Sequence, residues 1–283
     1  MKYDPAFCER EYNARAAVPD HAMHLRAWVE ESLKVRIGYP CYLDIPYGSQ
    51  PKQTLDFFPA RRGSSDAPLM VFIHGGYWRA MDKADFSFLA PAFSRAGIAL
   101  ALINYRLVPN VALEDLIRDT IASIAWLYRN AAHYGANPHR ISVAGHSAGG
   151  HLAALMLACQ WPRWHRALPR TVVRGALAIS GLYDLAPFIV TPFLRDDLKL
   201  NRARALDMSP ACLPYATPAP LITAVGAEES SEFHRQAQVL AQPWPDVFVR
   251  HVALPRMNHF TVCSALAESS GALFAAAREL TER

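Results

Sequence analysis

The chain has 283 residues, which is enough for one large α/β domain or two small ones. Hydrophobic residues make up 52% of it and charged residues 19%, a composition that favours a sizeable core and argues against global disorder. The formal net charge of +4 is mild and comes without a cluster of Lys and Arg, so nothing points to a nucleic-acid-binding protein.

The cysteines and the first residues bear on the cellular compartment. Five cysteines, an odd number without a C-x-x-C pair, favour a reducing environment. The first five residues carry charges and no apolar core of a secretory signal. No apolar run approaches the roughly 18 residues of a membrane span. We therefore expect a soluble cytoplasmic protein.

Residues 1–40 precede the predicted sheet and are expected to form a helical segment. Asp20, after Pro19, can cap a helix start. An amphipathic helix is predicted by the helical spacing of the apolar residues Leu25, Trp28, Val29 and Leu33. Its apolar face is expected to pack on the body of the domain.

Eight short runs then read as strands. Residues 41–45 and 53–58 alternate apolar and polar side chains and predict an antiparallel hairpin at a sheet edge. A polar loop, residues 63–68, follows. Two of the other six runs, at 69–73 and 98–103, are solidly apolar, as in strands covered on both faces. The remaining predicted strands lie at 141–144, 172–179, 221–225 and 247–253.

Helical segments alternate with these strands. They are predicted at 86–96, from 113 to about 134, 151–158, 231–240 and 260–280. This alternation implies an α/β protein with a mostly parallel, doubly wound sheet in a single domain, 1–283. Residues 185–215 interrupt it. Insertions at the ligand-facing end of a parallel sheet commonly cover a site, so we expect a small cap there rather than a solvated excursion.

The turn between the strand at 141–144 and the helix at 151–158 reads Gly145-His146-Ser147-Ala148-Gly149. Strand, turn and helix form the context in which G-x-S-x-G indicates a nucleophile elbow. We expect a strained backbone at Ser147, and glycine at 145 and 149 because a Cβ there would collide with neighbouring elements. Ser147 is the predicted nucleophile; a glycine-rich connecting loop is the alternative.

A serine hydroxyl needs a base, and the base needs an orienting acid. In this architecture they follow the nucleophile in the order acid, then histidine. His259, in the loop before the final helix, is the predicted base, whereas His251 lies within a strand and is expected to be structural. The loop after the penultimate strand offers Glu228 and Glu229, and spacing does not decide between them. More remote candidates for the acid are Asp184 and Asp246.

An oxyanion hole requires backbone N–H groups that face the developing negative charge. One is expected from Ala148, which follows the nucleophile. The others are expected from Gly76 and Tyr77, in the loop after the strand at 69–73. A simple tight turn is the alternative for this loop. His74, His146 and His151 have no metal-ligand spacing and are expected to be structural, and no metal or other cofactor is predicted.

The chain resembles the α/β-hydrolase superfamily, in the HGG branch related to hormone-sensitive lipase, and more narrowly the kynurenine formamidase (arylformamidase) group. The resemblance spans nearly the whole chain. The residues that carry it are 12–15 (YNAR), 18–21 (VPDH), 74–78 (HGGYW), 104–107 (NYRL), 145–152 (GHSAGGHL), 229–236 (ESSEFHRQ) and 258–260 (NHF).

The resemblance implies an α/β-hydrolase fold and the hydrolysis of N-formylkynurenine to kynurenine and formate. In that group the triad acid directly precedes the S-x-E-F segment, which here favours Glu229 and gives a Ser147–His259–Glu229 triad. Tyr77 occupies the third place of the usual H-G-G-G and is expected to restrict the acyl pocket, which suits a formyl group. The candidates for the substrate pocket are Tyr77, Trp78, His146, Phe188 and Phe193.

Two alternative functions remain open from the sequence. Members of this group also cleave simple aryl esters, and near relatives act on carbamates, so a general carboxylesterase or carbamate hydrolase is the first alternative. A non-catalytic binding protein with the hydrolase fold is the second. The expected partner is a small aryl amide or ester, without nucleic acid or membrane. The oligomeric state stays open, a homodimer being one option.

Overall fold

The computed structural model describes residues 3–61 and 66–282. These residues form a single eight-stranded sheet with its connecting helices. Residues 63–65 of the predicted polar loop lie outside the described residues. The strands are β1 (Tyr42–Pro46), β2 (Thr54–Phe58), β3 (Ala67–Ile73), β4 (Ala99–Ile103), β5 (Ala136–His146), β6 (Val173–Ile179), β7 (Leu221–Gly226) and β8 (Phe248–Leu254).

The strand order is β1-β2-β4-β3-β5-β6-β7-β8. β1 and β2 pair antiparallel with each other, and β2 pairs antiparallel with β4. All pairs from β4 to β8 are parallel. The prediction of a mostly parallel eight-stranded sheet with an antiparallel N-terminal edge is therefore confirmed.

The centre of the sheet is apolar on both faces. Val71 of β3 pairs with Ala101 of β4 on one side and with Val143 of β5 on the other, and all three are fully buried. Helices cover both faces, so these strands carry continuous apolar runs instead of an alternating pattern. At the carboxyl end of β3, Ile73 pairs with Gly145, which brings the loops after β3 and β5 side by side.

The helices occupy the connections and the first forty residues. They are α1 (Pro5–Tyr12), α2 (Ala14–Ala17), α3 (His21–Gly38), α4 (Ala90–Arg95), α5 (Leu113–Asn130), α6 (Ala148–Ala158), α7 (Trp161–Trp164), α8 (Arg195–Leu198), α9 (Arg202–Asp207), α10 (Ser231–Gln238), α11 (Thr261–Ser264) and α12 (Ala272–Glu282). Short 3-10 helices lie at Lys83–Leu89, Ala131–Tyr134, Ala186–Ile189, Pro210–Cys212 and Ala265–Ala267. Within the described residues, none of these helices has the length and hydropathy needed to cross a membrane.

Helix α3 forms as predicted, but its buried face differs from the predicted stripe. Trp28 is buried, whereas Val29 and Leu33 are 49% and 58% exposed. The buried face instead includes Ser32, whose hydroxyl donates to the carbonyl oxygen of Asp85 at 2.8 Å. A pattern of apolar residues cannot reveal a serine that is buried because the backbone satisfies its hydroxyl.

The predicted closing helix, 260–280, is wrong as a single element. It is divided into α11, a 3-10 turn and α12, with Ser269, Ser270 and Gly271 outside any helix. Glycine and serine are poor formers of a helix interior, and the Gly271 N–H turns back to the carbonyl oxygen of Glu268 at 2.7 Å. The helix predicted at 86–96 likewise begins as a 3-10 helix at Lys83 before α4.

Candidate active site

Ser147 stands between the end of β5 and the start of α6 in a left-handed backbone conformation. Its φ is 57° and its ψ is −119°. Such a conformation costs about 1–3 kcal/mol for a residue other than glycine and persists only where the surrounding structure imposes it. The Ser147 N–H donates to the carbonyl oxygen of Ile179 on β6 at 2.8 Å, which ties the turn to the sheet. The strained turn expected at this serine is present.

Two glycines make this turn possible. A Cβ at position 145 would lie 2.0 Å from the carbonyl oxygen of Gly149, and a Cβ at position 149 would lie 1.9 Å from that of Ile73. Both obstacles are backbone atoms, which cannot move aside as a flexible side chain could. Helix α6 therefore packs against β3 and β5 at a distance that only glycine permits, as the sequence predicted.

His259 and Glu229 form a close pair beside this turn. Nδ1 of His259 lies 2.6 Å from Oε2 of Glu229, and the two side chains are only 7% and 1% exposed. Oε1 of Glu229 accepts from the N–H of Gly226 at 2.8 Å and from the hydroxyl of Ser180 at 2.5 Å. Because Nδ1 donates its proton to a carboxylate, Nε2 of the imidazole is left as the basic nitrogen.

The other candidate acids lie elsewhere. Glu228 is exposed, so of the two adjacent glutamates it is Glu229 that contacts His259. Asp184 is bound by the guanidinium of Arg235 at 3.2 Å, and Asp246 accepts from the hydroxyl of Tyr215 at 2.8 Å.

His251 stays within β8, where its ring contacts the hydroxyl of Thr223 at 3.2 Å. It pairs with a polar group of the neighbouring strand, which agrees with the structural role expected for it.

Ser147 and His259 line the same cavity, whose volume is about 270 Å³. The hydroxyl of Ser147 is buried, and in the described part of the chain it has no hydrogen-bond partner. A buried unpaired hydroxyl is unusual enough in a folded protein to call for an explanation, and a catalytic group is one. A larger cavity of about 590 Å³ lies beside residues 184–212 and is lined by neither Ser147 nor His259.

The loop after β3 forms one wall of the smaller cavity. Gly76, Tyr77 and Trp78 have φ values of 96°, 51° and 57°, three left-handed residues in succession. A Cβ at position 76 would lie 2.3 Å from the carbonyl oxygen of Ala80, so glycine is required there. Gly76 and Tyr77 both line the cavity, beside Ser147.

Ala148, the third predicted oxyanion donor, is the first residue of α6 and is buried. The N–H groups of a first helical turn have no partner within the helix, so that of Ala148 is free to bind a ligand oxygen. The assignment of these three N–H groups as the oxyanion hole stays a prediction.

Three buried histidines surround the nucleophile. His146 lies 2.8 Å through Nε2 from the carbonyl oxygen of His259, and burial together with the neighbouring His259 lowers its pKa well below the ordinary value. Its neutral ring therefore donates from Nε2 and holds the loop that carries His259. His146 also lines the cavity, as predicted.

His74 and His151 support the two glycine-containing loops. The ring of His74 stacks on Tyr105 with centroids 4.4 Å apart, and Nε2 of His151 lies 2.8 Å from the carbonyl oxygen of Met208. Burial lowers the pKa of each to about 4, so both are neutral near pH 7.

Two of the predicted pocket residues do not reach the cavity. Trp78 and Phe188 are fully buried, and the cavity is lined by Tyr77 and Phe193 instead. The indole N–H of Trp78 donates to Nδ1 of His151 at 3.2 Å, and its ring packs on Phe188. The prediction that Trp78 and Phe188 line the pocket is corrected for this cavity, because both side chains belong to the buried core.

A second wall comes from the junction of α1 and α2, which was not predicted to belong to the site. Asn13, Ala14 and Arg15 line the cavity. The hydroxyl of Tyr77 donates to the backbone carbonyl oxygen of Tyr12, which joins this wall to the loop after β3. The available signal was the YNAR segment, which belongs to the family resemblance and lies far from the elbow in the chain.

Tyr12 anchors this wall to α10. Its hydroxyl donates to Glu232 at 2.6 Å and accepts from Gln236 at 3.0 Å. The hydroxyl of Ser230 donates to the carbonyl oxygen of Glu11. The YNAR segment and the segment after Glu229 are therefore in direct contact, although more than two hundred residues separate them.

Comparison with known proteins agrees with this architecture. The BD-FAE family model matches residues 55–162, which include both the loop after β3 and the elbow. The kynurenine formamidase of Salmo salar is 26% identical over 253 residues, covering 87% of this chain and 83% of that protein.

Solved structures extend the likeness to the whole chain. A candidate thioesterase from Silicibacter sp. TM1040 is 29% identical, with a TM-score of 0.84 over 94% of this chain and 97% of that one. An esterase from Pyrobaculum calidifontis is 17% identical, with a TM-score of 0.69 over 100% and 99%. The predicted enzyme class and fold are thereby confirmed: the chain has the α/β-hydrolase fold, and its relatives in sequence and structure are hydrolases of that superfamily.

Proposed function

We propose that the protein is a serine hydrolase that transfers a small acyl group from an aryl amide or ester to water. The proposed substrate is N-formylkynurenine, and the products are kynurenine and formate. The observation that carries this proposal is the 2.6 Å contact of Glu229 with His259, which lines the same cavity as Ser147. A buried base with an orienting carboxylate and an unpaired hydroxyl are the parts that acyl transfer requires.

In the proposed mechanism, Nε2 of His259 removes the proton of the Ser147 hydroxyl while Oγ attacks the acyl carbon. Glu229 holds the imidazolium that forms. The oxyanion of the tetrahedral intermediate is stabilised by the N–H groups of Gly76, Tyr77 and Ala148.

The intermediate then collapses, and His259 gives its proton to the leaving amine or alkoxide. A water molecule, deprotonated by His259, attacks the acyl-serine ester. The second intermediate releases the acid and returns the proton to Oγ of Ser147. Formate is the acid when the acyl group is formyl, and the leaving group departs before water reacts.

The proposal of a small acyl group is supported by the position of Tyr77. Its hydroxyl is bonded to the carbonyl oxygen of Tyr12, so the ring is held in the wall of a cavity of only about 270 Å³. A fixed aromatic ring next to the nucleophile leaves little room for a long acyl chain. The Salmo salar relative, a kynurenine formamidase, makes formyl the first acyl group to test.

We further propose that residues 185–215 act with the N-terminal segment as a small cap. Phe193 lines the cavity, and the guanidinium of Arg79 donates to its carbonyl oxygen at 2.7 Å and to Asp197 at 2.6 Å. The insertion is thereby tied to the loop that carries the proposed oxyanion donors.

A general carboxylesterase is the second candidate, because the esterase from Pyrobaculum calidifontis has the same fold. The two functions share their machinery and differ in substrate. We expect kcat/KM for N-formylkynurenine to exceed that for short aryl esters and carbamates measured in one panel. The reverse order would favour the esterase.

The hydrolase proposal itself is tested with Ser147→Ala. Turnover of p-nitrophenyl acetate should fall by about 10⁴-fold or more, and labelling by a fluorophosphonate probe should disappear. Ser94→Ala, which removes a hydroxyl bonded to the carbonyl oxygen of Pro59, is the control and should keep both. Near-normal hydrolysis by Ser147→Ala would refute the mechanism, and a wild-type protein without labelling or turnover would favour a binding protein.

A further inference from the structure

The charged side chains that line the cavity beside Ser147 are all positive. Among the described residues that line it are two arginines, Arg15 and Arg79, and no carboxylate. The carboxylate of the proposed triad, Glu229, lies behind His259 and is 1% exposed. A substrate in this cavity therefore meets positive charge that no acidic side chain in the wall balances.

Arg79 is already engaged by the protein. Its guanidinium forms an ion pair with Asp197 at 2.6 Å and donates to the carbonyl oxygen of Phe193 at 2.7 Å. It also lies over the ring of Phe193, with 5.8 Å between Cζ and the ring centroid. These contacts hold the insertion in place and leave Arg79 with its charge compensated.

Arg15 is not engaged in this way. In residues 3–61 and 66–282 no hydrogen bond or ion pair to Arg15 is present. The nearest glutamates along the chain have other partners: Glu9 accepts from Asn13 at 3.1 Å, and Glu11 accepts from Ser231 at 2.7 Å.

The backbone around Arg15 is nevertheless held in place, although its side chain is exposed. Helix α2 is capped by Asn13, whose side chain accepts from the N–H of Ala16 at 3.1 Å. The preceding Tyr12 is bonded to Glu232, and its carbonyl oxygen accepts from the Tyr77 hydroxyl. Arg15 lines the same cavity as Tyr77 and Ser147.

We propose that Arg15 is a specificity residue that binds a carboxylate on the leaving group of the substrate. A guanidinium pairs with a carboxylate through two parallel hydrogen bonds, and Arg15, an exposed arginine that lines the cavity and has no protein partner among the described residues, is available for that role. The acyl group is confined between Ser147 and Tyr77, so the carboxylate lies on the part that extends toward α2. The substrate class is an aryl amide or ester whose leaving group is an anion.

This inference rests on the proposed hydrolase function, and its test separates the two. The substrates are matched pairs in which a neutral methyl ester replaces the carboxylate: N-formylkynurenine with its α-methyl ester, and 4-acetoxybenzoate with methyl 4-acetoxybenzoate. Neutral p-nitrophenyl acetate reports the catalytic machinery alone. The enzymes are the wild type and two variants. Arg15→Gln removes the charge but keeps a long polar side chain. Arg15→Lys keeps the charge but loses the planar guanidinium that can donate two parallel hydrogen bonds. Arg26→Gln removes an exposed arginine outside the cavity and is the matched control.

For each pair that the wild type hydrolyses, we expect its kcat/KM to be higher for the acid than for the methyl ester. Arg15→Gln should lower kcat/KM for the acid by about tenfold, mainly through KM, as loss of a charge-assisted hydrogen bond at a partly solvated site predicts. Its kcat/KM for the methyl ester and for p-nitrophenyl acetate should fall much less than its kcat/KM for the acid. Arg15→Lys should recover part of the loss, and Arg26→Gln should match the wild type.

An acid-to-ester ratio that is the same in Arg15→Gln and in the wild type would overturn the role of Arg15 while the hydrolase stands. Equal losses on charged and neutral substrates would also overturn it, since they would indicate a structural effect. Absence of turnover of every substrate by the wild type would instead refute the proposed function.

Discussion

The two walls of the cavity are built in different ways. On one side, Ser147, Glu229 and His259 each follow the carboxyl end of a strand, where close backbone packing fixes them. On the other side, α1 and α2 are held by side-chain hydrogen bonds such as that from Tyr12 to Glu232. Backbone packing tolerates almost no substitution, whereas single hydrogen bonds can be exchanged at modest cost. We infer that the first wall sets the chemistry and that the second is free to set which leaving group is accepted.

The largest expected effect tests the backbone-fixed wall. Gly149→Ala places a Cβ 1.9 Å from the carbonyl oxygen of Ile73, so α6 cannot pack against β3. We expect loss of soluble folded protein, or of cooperative unfolding by circular dichroism. Gly38→Ala, at a glycine with open space around it, is the control and should fold normally. A stable, active Gly149→Ala protein would show that this wall is more adaptable than its geometry implies.

The next effect concerns the proposed triad acid. Glu229→Gln should leave the fold intact and lower kcat by about 10³–10⁴-fold, because an amide in place of the carboxylate favours the wrong tautomer of His259. Glu228→Gln removes the neighbouring exposed carboxylate and should be nearly silent. The measurement is kcat for p-nitrophenyl acetate at pH 7. Equal losses in both variants would remove the distinction between the two glutamates.

Acid should lower the free energy of unfolding, because the histidines buried around the nucleophile are neutral in the folded protein. Burial lowers the folded-state pKa of His151 to about 4, so between pH 6.5 and 4 the unfolded chain takes up a proton that the folded chain does not. The contribution of neutral His151 to the free energy of unfolding is therefore fully present above pH 6.5 and is lost as the pH falls toward 4. The loss per such histidine is on the order of 3 kcal/mol.

His151→Gln tests this contribution, because an amide can still donate to the carbonyl oxygen of Met208 without titrating. Urea unfolding at pH 7 and pH 4.5 should show a smaller loss of free energy for the variant than for the wild type. Parallel losses in the two proteins would assign the acid sensitivity to other groups.

The smallest expected effect falls on the side-chain-fixed wall. Tyr12→Phe removes the hydroxyl that donates to the buried Glu232 and accepts from Gln236, and should lower the free energy of unfolding by about 1–3 kcal/mol. The carbonyl oxygen that holds Tyr77 remains, so kcat for p-nitrophenyl acetate should not change. Tyr215→Phe, whose hydroxyl lies on the surface against Asp246, is the control. A collapse of kcat in Tyr12→Phe would contradict the separation between the two walls.

The same contrast explains what the sequence could reveal. The elbow was predictable because its glycines and its flanking strand and helix lie within a few residues of Ser147. The choice between Glu228 and Glu229 was open from spacing, since it depends on the N–H of Gly226 and on the hydroxyl of Ser180, the residue after β6. Local pattern can identify a reactive turn, but it cannot identify which distant donor will select one of two adjacent carboxylates.

The pocket residues that the sequence misplaced or missed also depend on contacts between distant parts of the chain. Trp78 was predicted in the pocket from its place in the HGGYW segment and Phe188 as an aromatic residue of the insertion, yet both side chains are fully buried in the core. Arg15 was not assigned to the site, because its position follows from contacts of Tyr12 with residues 232 and 236. A side chain placed by partners two hundred residues away leaves no periodic signal in its own neighbourhood.

The bond between Tyr12 and Glu232 also bears on the order in which the protein is made. A ribosome delivers Tyr12 first, and at about 5–20 residues per second Glu232 follows many seconds later. During that interval Tyr12 lacks its anchor on α10, and only its contacts with earlier residues such as Tyr77 can hold α1 and α2. The cavity closes only after α10 and the loop of His259 have emerged, so the growing polypeptide gains the ability to select a substrate among its last acquired properties.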